Sequence, residues 1–217
     1  IVSADDGEGM DKETLWHYLQ LGFSTRYMSK YTIGKYGVGA KLAALNFGRR
    51  IDVWSRTDES GPWLHVYFDL DEAREEEKDG GIPGIDEPHE EPIPEDLQQL
   101  FSNGSGTAVV WSKVDRLEEG RRAPDANELR VEVEKELSRI FRYFLHGGRR
   151  ILVNDTELLP FDPLMLMERS WADKVLNEHY REDAKKKDGA HKKGPRHFAA
   201  KVIWEEPIKI AGQEAAV

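Results

Sequence analysis

The residues with the clearest chemical potential lie in two glycine-spaced segments, Asp5-Asp6-Gly7-Glu8-Gly9-Met10 and Ile33-Gly34-Lys35-Tyr36-Gly37-Val38-Gly39-Ala40-Lys41. Glycines at 34, 37 and 39 let the backbone turn tightly and approach a ligand, because no Cβ stands in the way. Lys41-Leu42-Ala43-Ala44-Leu45 are good helix formers, so the unpaired N–H groups of a first helical turn face back into the loop. That geometry binds anions, phosphate above all. The spacing excludes two commoner nucleotide loops. No Gly-Lys-Ser/Thr ending completes a Walker motif, and no preceding strand and following acidic residue are arranged as in a dinucleotide fold.

The acidic segment supplies a second half to the pocket. Ile1-Val2-Ser3-Ala4 reads as the end of a strand, which places Asp5 at its exit. A carboxylate there can accept a hydrogen bond from an exocyclic amine and so distinguish adenine from guanine. The competing reading is a turn whose aspartate caps the next helix. Both readings stand together if Asp11, before Lys12-Glu13-Thr14-Leu15-Trp16, is the cap. Glu8, between two glycines, reads as an exposed turn residue and not as a catalytic base.

The elements that must position these residues alternate between strand and helix. Ile51–Arg56 and Leu64–Asp69 alternate as strands joined by Asp58-Glu59-Ser60-Gly61, a hairpin; Thr107–Trp111 is another strand. Asp125-Ala126-Asn127-Glu128 opens a helix with Leu129, Val133, Leu137, Ile140, Phe141 and Phe144 on one face, ending at Gly147-Gly148. Trp54, Trp111, Phe141, Tyr143 and Phe144 are expected in the core. Beyond Gly148, residues 150–160 read as a short hairpin, Leu164 to about Leu176 as a helix, and Phe198–Trp204 as a strand.

The order of these motifs, with Gly22-Phe23-Ser24-Thr25-Arg26 between them and Gly106-Thr107 after, resembles the gyrase, heat-shock chaperone, histidine kinase and MutL superfamily of ATPases, the GHKL or Bergerat fold. It is most similar to the MORC and heat-shock chaperone branches. The resemblance implies an α/β (α+β) two-layer sandwich, with a mixed, mostly antiparallel sheet and helices on one face. It also implies residue roles. Asp5 would hold the adenine amino group with Thr107 in the water network, and Gly7, Gly9 and Met10 would line the base pocket. Gly34, Lys35, Tyr36, Gly37, Val38, Gly39 and Ala40 would wrap the phosphates, and Lys41 would neutralise their charge. Ser24, Thr25 and Arg26 would enter the lid. The cofactors implied are ATP and Mg2+. The family's catalytic glutamate and its magnesium-ligating asparagine are expected on a helix upstream of Ile1, which makes the domain N-terminally incomplete, with no metal ligand expected in this chain.

The domain expectation is an ATP-binding domain over 1–148 with an acidic insertion at 69–104, then 149–217 as hairpin, basic linker and the start of a transducer-like second domain. The function expected is that of an ATP-driven conformational machine, an ATP-dependent homodimer that hydrolyses ATP in the full-length protein. The alternatives are a non-catalytic nucleotide sensor or nucleic-acid-associated scaffold, and a histidine kinase catalytic domain.

Charge is unevenly placed along the 217 residues. Residues 69–96 hold 13 Asp or Glu against 2 Lys or Arg, a local −11, while the whole chain is −10, so the remainder is nearly neutral. With Pro83, Pro88, Pro92 and Pro94, this stretch reads as an exposed, mobile loop between strands. Residues 181–201 carry 8 Lys or Arg against 3 Asp or Glu, a solvated linker or a nucleic-acid contact through Lys185, Lys186, Lys187, Lys192 and Lys193. His17, His65, His89 and His146 are scattered with no partner at metal spacing. Zero cysteines exclude a disulfide scaffold and a thiolate zinc site. No apolar run approaches the ~20 residues of a membrane span, and no leader pattern is present. The expected setting is cytoplasmic, or nuclear if eukaryotic, without membrane contact.

Overall fold

The computed structural model describes residues 1–20, 22, 39–101, 104–115, 125–186, 208–210 and 213–215. The chain divides into two compact units, Ile1–Gly120 and Arg121–Val217.

In the first unit the elements run β1 (Val2–Asp5), α1 (Lys12–Tyr18), α2 (Gly39–Phe47), β2 (Gly48–Arg56), β3 (Leu64–Asp69), α3 (Leu70–Lys78), β4 (His89–Glu90), α4 (Glu95–Gln98) and β5 (Gly106–Val114). The five strands form one sheet in the order β1-β5-β2-β3-β4, and every pairing in it is antiparallel. This is the mixed α and β architecture expected. The β2–β3 hairpin closes at the turn that the sequence predicts at Asp58–Gly61: Gly61 N–H donates to Asp58 O at 3.0 Å, and Asp58 Oδ1 accepts from Ser60 N–H at 2.8 Å.

Strand alternation sends side chains to two faces, and both are covered. On one face Ile51, Val53 and Val66 pack with Leu15 and Leu19 from α1 and its C-terminal cap and with Ala44 of α2. On the other, Trp54 and Ala108 pack with Trp63, Ile93 and Leu97, and the Trp63 ring meets Phe101 edge-on at 4.8 Å. Trp54 and Trp111 therefore sit in or against the core as expected.

The acidic stretch corrects its loop reading. Its first proline is Pro83, and before it Asp69 caps a nine-residue helix by accepting from Asp71 N–H at 2.9 Å, with Asp71 and Glu72 at the positive end of the helix dipole. Further on, His89 pairs with His65 at the sheet edge, and Ile93 and Leu97 are buried. Helix α3 itself has no buried residue, so the exposure expected of this stretch holds, and its far end is what packs on the sheet.

Asp69 also makes a pH-dependent contribution. Burial alone would raise its pKa, but the Lys113 ammonium at 2.6 Å and the backbone N–H groups of α3 outweigh it and hold the carboxyl below the ordinary 3.8. A depressed folded-state pKa means the stabilisation is complete above the unfolded value and is lost as pH falls through the lower folded one. Urea midpoints should therefore drop below about pH 4, and Asp69→Asn should show a shallower acid limb than the parent chain.

In the second unit, α5 (Ala126–Ile140) starts at Asp125, whose carboxylate accepts from Asn127 and Glu128 N–H at 2.8 and 2.9 Å. The helix breaks at Phe141, and α6 (Arg142–His146) follows. That break corrects the core expectation for Tyr143 and Phe144. Both rings are exposed, with the guanidinium groups of Arg142 and Arg149 over them at 4.6 and 5.3 Å, and Leu145 is the buried side chain. Val133 and Ile140 are exposed as well.

The hairpin of β6 (Leu152–Val153) and β7 (Thr156–Glu157) forms as expected, but the helix after it starts later than predicted. Asp162 accepts from the N–H groups of Leu164, Leu166 and Met167 at 3.1, 2.7 and 3.1 Å, which holds 164–167 in a compact loop. Helix α7 (Trp171–Lys186) therefore begins after Ser170 and includes Lys185 and Lys186 in place of a linker. β8 (Ile208–Ile210) and β9 (Gln213–Ala215) pair as a last hairpin. Lys187, Lys192, Lys193 and the strand expected at 198–204 lie outside the described residues. No helix among the described residues is long and apolar enough to cross a membrane.

Candidate functional site

The antiparallel register sets three polar residues in a row across three strands: Asp5 pairs with Thr107, and Thr107 pairs with Ser55. Directly paired residues share a face, and here it is the face that α1 and α2 cover. Ser55 Oγ lies 2.9 Å from Thr107 Oγ1, accepts from the Met10 N–H at 2.8 Å and reaches Gly106 O at 3.2 Å. Ser55 and Thr107 are both buried, so this network fixes the segment 7–10 against the sheet. Sequence reasoning did not include Ser55. It lies inside an ordinary alternating strand, and only the pairing register brings it to Thr107.

Asp5 and Asp11 take separate roles. Asp11 caps α1 by accepting from Thr14 N–H at 2.8 Å. Asp5 closes a tight turn, its Oδ1 accepting from Gly7 N–H at 3.0 Å, and a carboxylate so engaged keeps further acceptor capacity. Ser105 Oγ donates to Gly7 O at 2.9 Å, tying the same loop to the start of β5.

Two glycines are dictated by this packing. Gly9 has φ +69°, and a Cβ on it would stand 2.2 Å from the Arg56 carbonyl oxygen. Gly106 has φ +142°, and its Cβ would stand 2.1 Å from the Asp5 carbonyl oxygen. Both backbones are pressed against the strand ends that carry the polar row.

Beside this row, on the same face, is a cavity of about 110 Å³ lined by Ser3, Tyr18, Leu19, Ala44, Ile51, Val109 and Trp111. Its walls are largely apolar. Burial, and then the negative charge of Asp5, push the Tyr18 hydroxyl above its ordinary range, so Asp5 is felt at the cavity wall. None of Asp5, Ser55, Thr107, Gly9 or Met10 lines this cavity, which lies along the sheet from the polar row.

Among the other expected residues, Gly39 opens α2, and Ala40 and Lys41 form its first turn as expected of a loop feeding a helix N-terminus. Gly34, Lys35, Tyr36, Gly37 and Val38, with Ser24, Thr25 and Arg26, lie outside the described residues. Glu8 is exposed. The structure also brings together His65, His89 and Glu91, a set that sequence spacing did not reveal.

A five-stranded antiparallel sheet with helices is consistent with the family that comparison with known proteins finds. Residues 1–107 match the family described as "Histidine kinase-, DNA gyrase B-, and HSP90-like ATPase", and this segment belongs to it. The chain is also 38% identical over 56 residues to Protein MICRORCHIDIA 4 of Arabidopsis thaliana. That match spans 26% of this chain and 7% of the plant protein.

Proposed function

We propose that this chain binds ATP, with adenine against the Asp5–Thr107–Ser55 row, and that it serves as the nucleotide-binding part of an ATP-driven conformational machine. The supporting observation is that row, with Met10 clasped to it through Ser55 and Gly9 pressed against the Arg56 backbone. Asp5 would accept from the adenine amino group, and Thr107 would hold a water between base and sheet. Gly7, Gly9 and Met10 would border the ring. Residues 34–41 would wrap the phosphates, with Lys41 as a counter-charge at the start of α2 and with Ser24, Thr25 and Arg26 leading into the lid. Bound Mg2+ would neutralise phosphate charge.

Hydrolysis in this reading needs a group that orients the attacking water. ATP would order the lid and promote pairing of two copies, and residues from 149 onward would begin a transducer-like domain. The similarity to Protein MICRORCHIDIA 4 favours the MORC branch of the family for this segment.

Mg-ATP should raise the melting temperature of the chain, and Lys41→Ala should reduce that rise by weakening phosphate binding. An absent shift in the parent chain would remove the proposal. Phosphate release by the full-length protein separates the two forms of the reading: turnover supports a motor, and its absence supports a non-catalytic sensor.

A further inference from the structure

The register that builds the nucleotide row on one face builds a second constellation on the other, at the opposite edge of the sheet. His65 of β3 pairs directly with His89 of β4, and Glu91 follows His89 by two residues. The Glu91 N–H donates to Trp63 O at 3.0 Å, continuing the strand pairing past Glu90. Three potential ligand atoms, one from each side chain, lie within 4.8 Å of one another.

His65 is held as an oriented ligand would be. It is 3% exposed, and its ring lies flat on Trp54 with centroids 4.3 Å apart and planes 15° off parallel. On its inner side Nε2 is 3.1 Å from Asp52 Oδ1, and Arg50 in turn grips both Asp52 oxygens at 2.8 to 3.2 Å. A neutral imidazole that gives its Nε2 proton to Asp52 presents a lone pair at Nδ1. Carboxylates in this position behind a histidine are the usual device for orienting a metal ligand.

The buried Nδ1 has no hydrogen-bond partner. Glu91 Oε2 is 2.9 Å away but off the line an N–H would need, and the same oxygen lies 3.0 Å from His89 Nε2. Ligand atoms sharing one tetrahedral ion at 2.0–2.1 Å are about 3.3 Å apart. Glu91 thus sits where a co-ligand would sit relative to both rings. His89 and Glu91 are partly exposed, which leaves an entry path and a fourth position open to solvent.

We propose that His65 Nδ1, His89 Nε2 and the Glu91 carboxylate bind one first-row transition cation, pinning the edge strand β4 to β3. Two imidazoles select zinc-like ions over magnesium and calcium, so the site is independent in chemistry and location from any nucleotide-bound Mg2+.

The test titrates the chelator-stripped full chain with Zn2+ by calorimetry and follows its melting temperature. The expected result is one ion bound per chain with a rise in melting temperature. His89→Ala and Glu91→Gln alter partly exposed side chains and should each weaken binding about tenfold or more. Asp52→Asn, acting through His65, should weaken it about 10- to 100-fold. Circular dichroism of each variant confirms folding. No stoichiometric Zn2+ binding, or parental affinity in either His89→Ala or Glu91→Gln, overturns the proposal.

Discussion

Replacing Gly9 by alanine should lower the unfolding free energy of the chain by about 3 kcal/mol or more. Two penalties combine. The residue has φ +69°, a conformation that disfavours L side chains by roughly 1–2 kcal/mol, and the new Cβ would be driven to 2.2 Å from the Arg56 carbonyl. That oxygen belongs to the end of β2, so relief requires moving either the strand or the 7–10 loop. Moving the loop breaks the Met10 N–H to Ser55 hydrogen bond and with it the wall of the proposed base pocket. Gly84→Ala is the control, since no atom lies within 4 Å of its Cβ position, and its effect should stay within about 0.5 kcal/mol. Urea unfolding of the two variants side by side checks this. Equal stabilities would mean that the loop is not pressed against β2.

The second large effect is on binding. Asp5→Asn removes the charge from the proposed adenine acceptor and places an amide in its position. Hydrogen bonds to charged groups contribute about 1.5–3 kcal/mol, so ATP affinity should fall roughly 10- to 150-fold. Fold stability should change little, because Asp5 is exposed and the hydrogen bond it accepts from Gly7 N–H can be accepted by an amide oxygen as well. Loss of affinity without loss of stability is the pattern expected of a residue that reads the ligand. An equal loss of both would mark Asp5 as a turn former only.

What the sequence disclosed and what it hid follow from the range of the interactions involved. The caps at Asp11 and Asp125 and the turn at Asp58–Gly61 are local hydrogen-bond patterns, and each forms where expected. Helix α2 begins at Gly39, the last glycine of the 34–39 spacing. The antiparallel sheet was legible in part because alternating strands joined by a short turn, as at Asp58–Gly61, must run antiparallel.

Long-range register was not legible. Ser55 gains its role by facing Thr107, 52 residues away, and His65 meets His89 by pairing across two strands. Nothing in the local spacing of either residue distinguishes it from a neighbour on a buried face. Composition misled at 70–78, where acidic residues that suggest solvated loop are also good helix formers when an aspartate caps them and no proline interrupts. It misled again at 164–167, where one carboxylate, Asp162, gathers three backbone N–H groups that a helix would otherwise have used.

The most direct test of the central claim is a calorimetric titration of the full chain with Mg-ATP and, in parallel, Mg-GTP. A pocket read by Asp5 should bind ATP and reject GTP by at least tenfold, since guanine presents a carbonyl where adenine presents the amine that a carboxylate requires. Binding of both nucleotides with equal affinity, or of neither, would contradict the account.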